Sequence, residues 1–170
     1  MKPQGVSRLV LFLIAASCIG CDQVTKRVAI EELAGEAPMS FLGDTLRIQY
    51  AENRGAFLGW GSDWSDTTRL WVFGIGTAIV LAIIGWRLAR GTFTERGTQI
   101  AFTLLLGGGI ANLIDRIARG SVVDFLNLGI GPVRTGIFNV ADVAISAGAV
   151  YLLIRGFRED REAEARAANS

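Results

Sequence analysis

Three aspartates carry the chemistry this chain is best equipped for. They fall in one stretch, NLIDRIARGSVVDFLNLGIGPVRTGIFNVAD from Asn112 to Asp142, as Asp115, Asp124 and Asp142, with Arg116 and Asn139 beside them. The stretch lies between two long apolar segments, and an ionisable side chain at or inside a bilayer is costly and is usually kept for a purpose. Two carboxylates held close together cannot both ionise cheaply, so one pKa rises and the pair shares a proton. One member then activates water while the other donates to a carbonyl, which is aspartic-protease chemistry. Asp124 and Asp142 are expected to be that pair, since neither has an obvious basic partner of its own. The plainer alternative for each is a helix cap or a loop carboxylate.

Composition removes most other catalytic devices. The 170-residue chain has no histidine, which excludes Ser–His and Cys–His nucleophiles and HExxH zinc sites. Its only cysteines, Cys18 and Cys21, sit inside an apolar run, where they are expected to pack as small buried thiols. No cofactor or metal is expected. The net charge of +1 says nothing about partners, and no basic run suggests nucleic acid.

The elements that must position these residues are read from the distribution of charge. With 51% hydrophobic residues the chain fits a rich globular domain or a small membrane protein. Leu70–Trp86 and Gly97–Ile114 hold no charged residue, and Thr135–Ile154 holds only Asp142. Each is about the ~20 residues that cross a hydrocarbon core. The chain is therefore expected to be an all-α membrane protein, a single membrane-embedded unit of four transmembrane helices at about 6–28, 69–88, 97–118 and 139–155. The basic start and apolar Leu9–Cys21 also fit a signal peptide, even a lipoprotein one, but no leucine stands three residues before either cysteine. Residues 29–68 form an outer segment in which Leu46–Tyr50 alternates as a half-exposed strand, and residues 119–136 form an outer loop. Trp60, Trp64 and Trp71 are expected to anchor in the headgroup layer. Gly107-Gly108-Gly109 is expected to interrupt the third helix and let helices touch. Residues 156–170 read as a frayed, solvated helix.

Basic residues set the orientation. Lys2 and Arg8, then Arg87, Arg90 and Arg96, then Arg155, Arg158, Arg161 and Arg166 share one side in a four-span topology, the cytoplasmic side, with both termini. Asp22, Gln23 and Lys26, then Asn112, Asp115 and Arg116, then Asn139 and Asp142 all fall at the other end, level with Asp124. Asp22–Lys26 and Asp115–Arg116 read either as structural ion pairs or as parts of the site. A transporter relay would instead spread its polar groups through the membrane thickness. A Ser–Lys hydrolase would use Lys26 with Ser146 or Ser40. A purely structural anchor would tolerate Asn at both Asp124 and Asp142.

Four blocks, Asp22-Gln23-Val24-Thr25-Lys26, Asn112-Leu113-Ile114-Asp115-Arg116, Val122-Val123-Asp124-Phe125 and Phe138-Asn139-Val140-Ala141-Asp142, resemble in order those of lipoprotein signal peptidase (signal peptidase II). The resemblance implies an aspartic endopeptidase of the bacterial cytoplasmic membrane that removes signal peptides from prolipoproteins, cutting before the diacylglyceryl-modified cysteine. It implies Asp124 and Asp142 as the catalytic pair, with Asp22, Lys26, Asn53, Asn112, Asp115, Arg116 and Asn139 supporting the site or orienting substrate. It also implies a small β-containing cradle over the bilayer surface, and an active site at the outer leaflet. Lipid-modified prolipoproteins and membrane lipids are the expected partners, and a monomer the expected state. Asn53-Arg54-Gly55-Ala56-Phe57 is one residue shorter than the family's Asn-x-Gly-Ala-Ala-Phe block, and Ala111 stands where a glycine often precedes the asparagine.

Overall fold

A computed structural model describes residues 5–55 and 61–168. Lys2, Ala56, Phe57 and Trp60, each named above, lie outside the described residues. The chain runs as helix α1 (Arg8–Leu33), strands β1 (Met39–Phe41) and β2 (Leu46–Asn53), helices α2 (Asp66–Ala89) and α3 (Arg96–Arg119), strands β3 (Val122–Ile130) and β4 (Val133–Arg134), and helix α4 (Val140–Ala168). All four helices are long and apolar enough to cross a membrane.

The helix ends follow local chemistry. Ser7 accepts from the backbone of Val10 to open α1, and Glu95 accepts from Gly97 and Thr98 to open α3. Gly120, at φ +74, closes α3 in the left-handed conformation that lacks a penalty only without a Cβ. Within α2, Leu70–Gly76 is wound as a π-helix.

Helix α3 is the hub, packed against α4, α1 and α2. The three glycines do not interrupt it; the helix continues through them. Successive residues point about 100° apart around a helix, so each glycine faces a different neighbour. A Cβ on Gly107 would meet Ala15 and Cys18 of α1, one on Gly108 the Ala141 carbonyl of α4 at 2.6 Å, and one on Gly109 the Leu81 side chain of α2. Close approach of three helices is thus the purpose of the run.

Other expectations shift. Helix α1 runs to Leu33, five residues beyond 28, and α4 continues unbroken past Arg155 to Ala168, so the tail read as a solvated helix is the exposed end of that same helix. Cys21 is exposed on the outer surface of α1 and Cys18 is half-buried, so these thiols are not both core. An apolar environment lets a thiol face lipid as readily as core. Trp64 stacks on Phe73 with centroids 5.5 Å apart, and Trp71 faces outward.

At the Leu33 end of α1 lies a four-stranded antiparallel sheet in the order β1-β2-β3-β4. The alternation at Leu46–Tyr50 does make a strand, extended to Asn53, and the region read as a plain loop at 119–136 supplies two more strands. Val123 and Phe125 of β3 pack on Ala29 and Leu33 of α1, which fixes the sheet to the bundle. A bulge in β2 between Ile48 and Ala51 resets the register so that Asp124 stands opposite Ala51 and Val122 opposite Asn53.

Candidate active site

Asp22 and Lys26, four apart on α1, share a face and point into the bundle. The Lys26 ammonium lies 2.7 Å from Asp22, 2.9 Å from Asp115, and donates to Asn112 Oδ1 at 2.8 Å. Exposure of 0% for Asp22 and 1% each for Lys26 and Asp115 leaves these charges no water to lean on. The remaining carboxylate capacity is taken up by protein: the Ala141 amide donates to Asp22 at 2.8 Å, Gln23 to Asp115 at 3.1 Å, and the Val123 amide to Asp115 at 3.3 Å. One cluster therefore ties α1, α3, β3 and the start of α4 together.

The proposed Asp115–Arg116 pair does not form. Neighbours in a helix do not face each other, and Asp115 turns to Lys26 while Arg116 turns the other way. Its guanidinium donates to the Asn112 carbonyl at 3.5 Å and the Gly55 carbonyl at 3.2 Å, and lies over the Phe73 ring. Its Nε is buried with no hydrogen-bond partner among the described residues.

Asp124 and Asp142 line one cavity of about 250 Å³ with Asn53, Asn112, Arg116 and Ser146. The two carboxylates come from different elements, β3 and the first turn of α4, and asparagines hold them in place. Asn139 Nδ2 donates to Asp124 Oδ1 at 2.6 Å, and Asn53 donates to Asp124 Oδ2 at 3.2 Å. Asn112 Nδ2 donates to Asp142 Oδ1 at 2.9 Å. Asn139 and Asp142 also form a reciprocal cap: the Asp142 amide donates to Asn139 Oδ1 at 2.9 Å, and the Asn139 amide to Asp142 Oδ2 at 3.2 Å. Capping is thus a real role of Asp142, held alongside its place in the cavity. The two asparagines, left open between substrate and carboxylates by the sequence, donate to the carboxylates.

Neither Asp124 nor Asp142 forms an ion pair among the described residues. Burial first, and the neighbouring Asp142 second, push the Asp124 carboxyl up from 3.8 to about 6, against the opposing hydrogen bonds from Asn53 and Asn139.

A Ser–Lys site is not assembled. Lys26 is committed to Asp22, Asp115 and Asn112, and the Ser40 hydroxyl donates to Asp44 on the sheet. Ser146 does line the cavity. Gln23, placed at the polar end beside Asp22 by the sequence, steadies Asp115, and Thr77, which residue type did not single out, lines the cavity.

A multi-pass membrane protein with a carboxylate pair opening on a cavity at one end of its bundle is the class this arrangement defines. Comparison gives the family. The model of Signal peptidase (SPase) II matches residues 14–158. The chain is 35% identical over 153 residues to a lipoprotein signal peptidase of Geobacillus thermodenitrificans, covering 90% of this chain and 92% of the relative. It is 33% identical over 156 residues to one of Halalkalibacterium halodurans, covering 92% and 97%. Two solved bacterial membrane enzymes, determined by the in meso method, superpose with TM-scores of 0.79 and 0.74 at 27% identity, covering 94% and 91% of this chain and 94% and 96% of theirs. The chain belongs to the signal peptidase II family, a family of membrane proteases.

Proposed function

We propose that this protein is an aspartic endopeptidase that removes signal peptides from bacterial prolipoproteins, cutting before the diacylglyceryl-modified cysteine. The observation that carries the reading is the pair Asp124 and Asp142 on one cavity, held by asparagines and in no ion pair among the described residues. Asp124, raised to about 6, holds the shared proton and donates it to the scissile carbonyl. Asp142 takes a proton from the attacking water. Arg116, with a buried donor to spare, orients the substrate backbone, while Asn53, Asn112 and Asn139 hold the two carboxyls. Asp22, Lys26 and Asp115 fix the helices that carry them.

The location follows from the substrate. A lipidated cysteine keeps its acyl chains in one leaflet, so its amide reaches a site at the membrane edge, where binding supplies near-attack geometry. The protein works as a monomer in the cytoplasmic membrane, with termini in the cytoplasm and the site at the outer leaflet.

The test is processing of a lipid-modified precursor by the purified protein, read by mass spectrometry. The product begins at the modified cysteine. Asp124→Asn and Asp142→Asn leave the precursor whole, and Ser146→Ala cuts it. Cleavage at the wild-type rate by either Asn variant, or its loss on replacing Ser146, overturns the assignment.

A further inference from the structure

A second cavity, of about 360 Å³, adjoins the one that holds Asp124 and Asp142, and Arg116 lines both. Four arginines border it, Arg54, Arg69, Arg116 and Arg119, against the single carboxylate of Asp66. That carboxylate is already taken, because Arg69 donates to it as well as to the Ser62 and Trp64 carbonyls. Arg54, Arg116 and Arg119 form no ion pair among the described residues. The hydroxyls of Tyr50 and Ser121 first, and Arg54 and Arg119 more weakly, hold the Glu52 carboxyl below its usual pKa, so that acid is engaged elsewhere. Arg116 gives two nitrogens to the Asn112 and Gly55 carbonyls, and its Nε has no acceptor among the described residues. Guanidiniums gathered around one small space repel one another. They also stand against the bias that puts basic residues at the opposite end of the bundle. A cluster kept under both penalties calls for an anion.

The rest of the lining says what the anion is attached to. Leu70, Phe73 and Gly74 of α2 and Ile117 of α3 complete the cavity. Leu70 is 61% exposed and Ile117 77%, and both lie on membrane-crossing helices, so this wall faces hydrocarbon. Arg69 lies in the first turn of α2 and Arg119 ends α3, while Phe73 and Gly74 lie further into the span. Cations thus sit at the rim and apolar side chains below them. That is the order of chemistry along a phospholipid. The planar guanidinium fork matches phosphate oxygens in particular, and a free phosphate would leave the apolar wall uncovered.

We propose that this cavity binds one anionic membrane phospholipid. Arg54, Arg116 and Arg119 hold its phosphodiester, and its first acyl carbons lie on Leu70 and Ile117. The ligand is a resident lipid of the leaflet at the site end, separate from any peptide the carboxylate pair cuts. Arg116 has five N–H donors, enough to hold a phosphate and still serve the neighbouring cavity.

Native mass spectrometry of the full chain in neutral detergent counts bound lipid without reading cleavage. With phosphatidylglycerol and phosphatidylcholine added in equal amounts, one phosphatidylglycerol is retained at saturation, ahead of phosphatidylcholine. Arg54→Gln and Arg119→Gln each weaken its retention about 5-fold, the worth of one cation beside an anionic lipid. Both side chains are exposed, so the variants melt like wild type. Arg158→Gln with Arg161→Gln removes charge at the far end of α4, and retention is unchanged. Inorganic phosphate in large excess leaves the lipid bound. Equal retention of the two lipids overturns the proposal, as does uptake that never saturates or an equal loss in the far-end pair. Displacement by inorganic phosphate overturns it by showing a site for a free anion. Displacement by a lipid-modified precursor peptide overturns it by assigning the cavity to substrate.

Discussion

Two sets of aspartates sit at the same end of the bundle and meet very different surroundings. Asp22 and Asp115 close on the Lys26 ammonium at 2.7 and 2.9 Å, with backbone amides and Gln23 filling the rest. Asp124 and Asp142 receive asparagine side chains and an amide, and open on a cavity. Asparagine hydrogen bonds favour the Asp124 carboxylate yet are outweighed by burial and by Asp142, whereas Asp22 and Asp115 each have an ammonium within 3 Å. The closed set is suited to holding helices together. The open set is suited to exchanging a proton. Burial alone therefore does not separate the two sets; what separates them is whether a cation has already claimed the carboxyl.

The largest effect that bears on this contrast is on rate. Asp124→Asn and Asp142→Asn each lower processing of a lipidated precursor by about 10²–10⁴-fold, the range for a lost general acid or base. Melting in detergent shows both variants folded. A variant that keeps its rate moves that aspartate into the closed set.

Lys26→Met breaks the contrast from the other side. It strands two buried carboxylates and costs about 3–5 kcal/mol, read as lost yield or a lowered melting temperature. Adding Asp22→Asn and Asp115→Asn recovers much of that stability, because the uncompensated charges are gone. If Lys26→Met melts like wild type, the cluster is not what holds the helices.

Gly108→Ala tests whether the hub helix positions the open set. Its methyl would meet the Ala141 carbonyl, one residue before Asp142, and push α4 outward. A cost of about 1–3 kcal/mol is expected from overpacking, with a fall in rate larger than the fall in stability suggests. Gly156→Ala, with open space around it, does neither.

The smallest effect is a shift along the pH axis. With the proton of Asp124 lost near 6, the rate falls as pH rises through about 6. Asn53 lowers the Asp124 pKa, so Asn53→Ala moves that alkaline limb to higher pH. The stability sign agrees: the folded-state value lies above 3.8, so the stability tied to the protonated carboxyl is full below pH 3.8 and is lost as pH rises through about 6. Asp124→Asn therefore gains of order 1–3 kcal/mol over wild type above that pH. A limb that moves downward in Asn53→Ala contradicts the role given to that amide.

Much of this was legible in the chain alone. Long uncharged runs specify membrane-crossing helices because the cost of charge in hydrocarbon is large and local, and alternating patterning gave β2. The gathering of Asp22, Lys26, Asp115, Asp124 and Asp142 at one level followed from where each run ends. Strand β3 was hidden, since Val122–Ile130 lacks clean alternation and reads as plain apolar sequence between two spans. The partners of the charges were hidden as well. Arg116 follows Asp115 directly, and only the helix's turn per residue separates them.

The sequence by itself determined how many helices there are, which end is polar, and which residue types wait there, because hydropathy and helical period are properties of neighbours. Tertiary structure alone decided that Lys26 takes Asp22 and Asp115 while Asp124 and Asp142 form no ion pair among the described residues. Asn112 reaches Lys26 across 86 residues of chain, and Ala141 reaches Asp22 across 119. Such contacts depend on how closely three glycines let the helices approach, and a distance of that kind is set by packing in space.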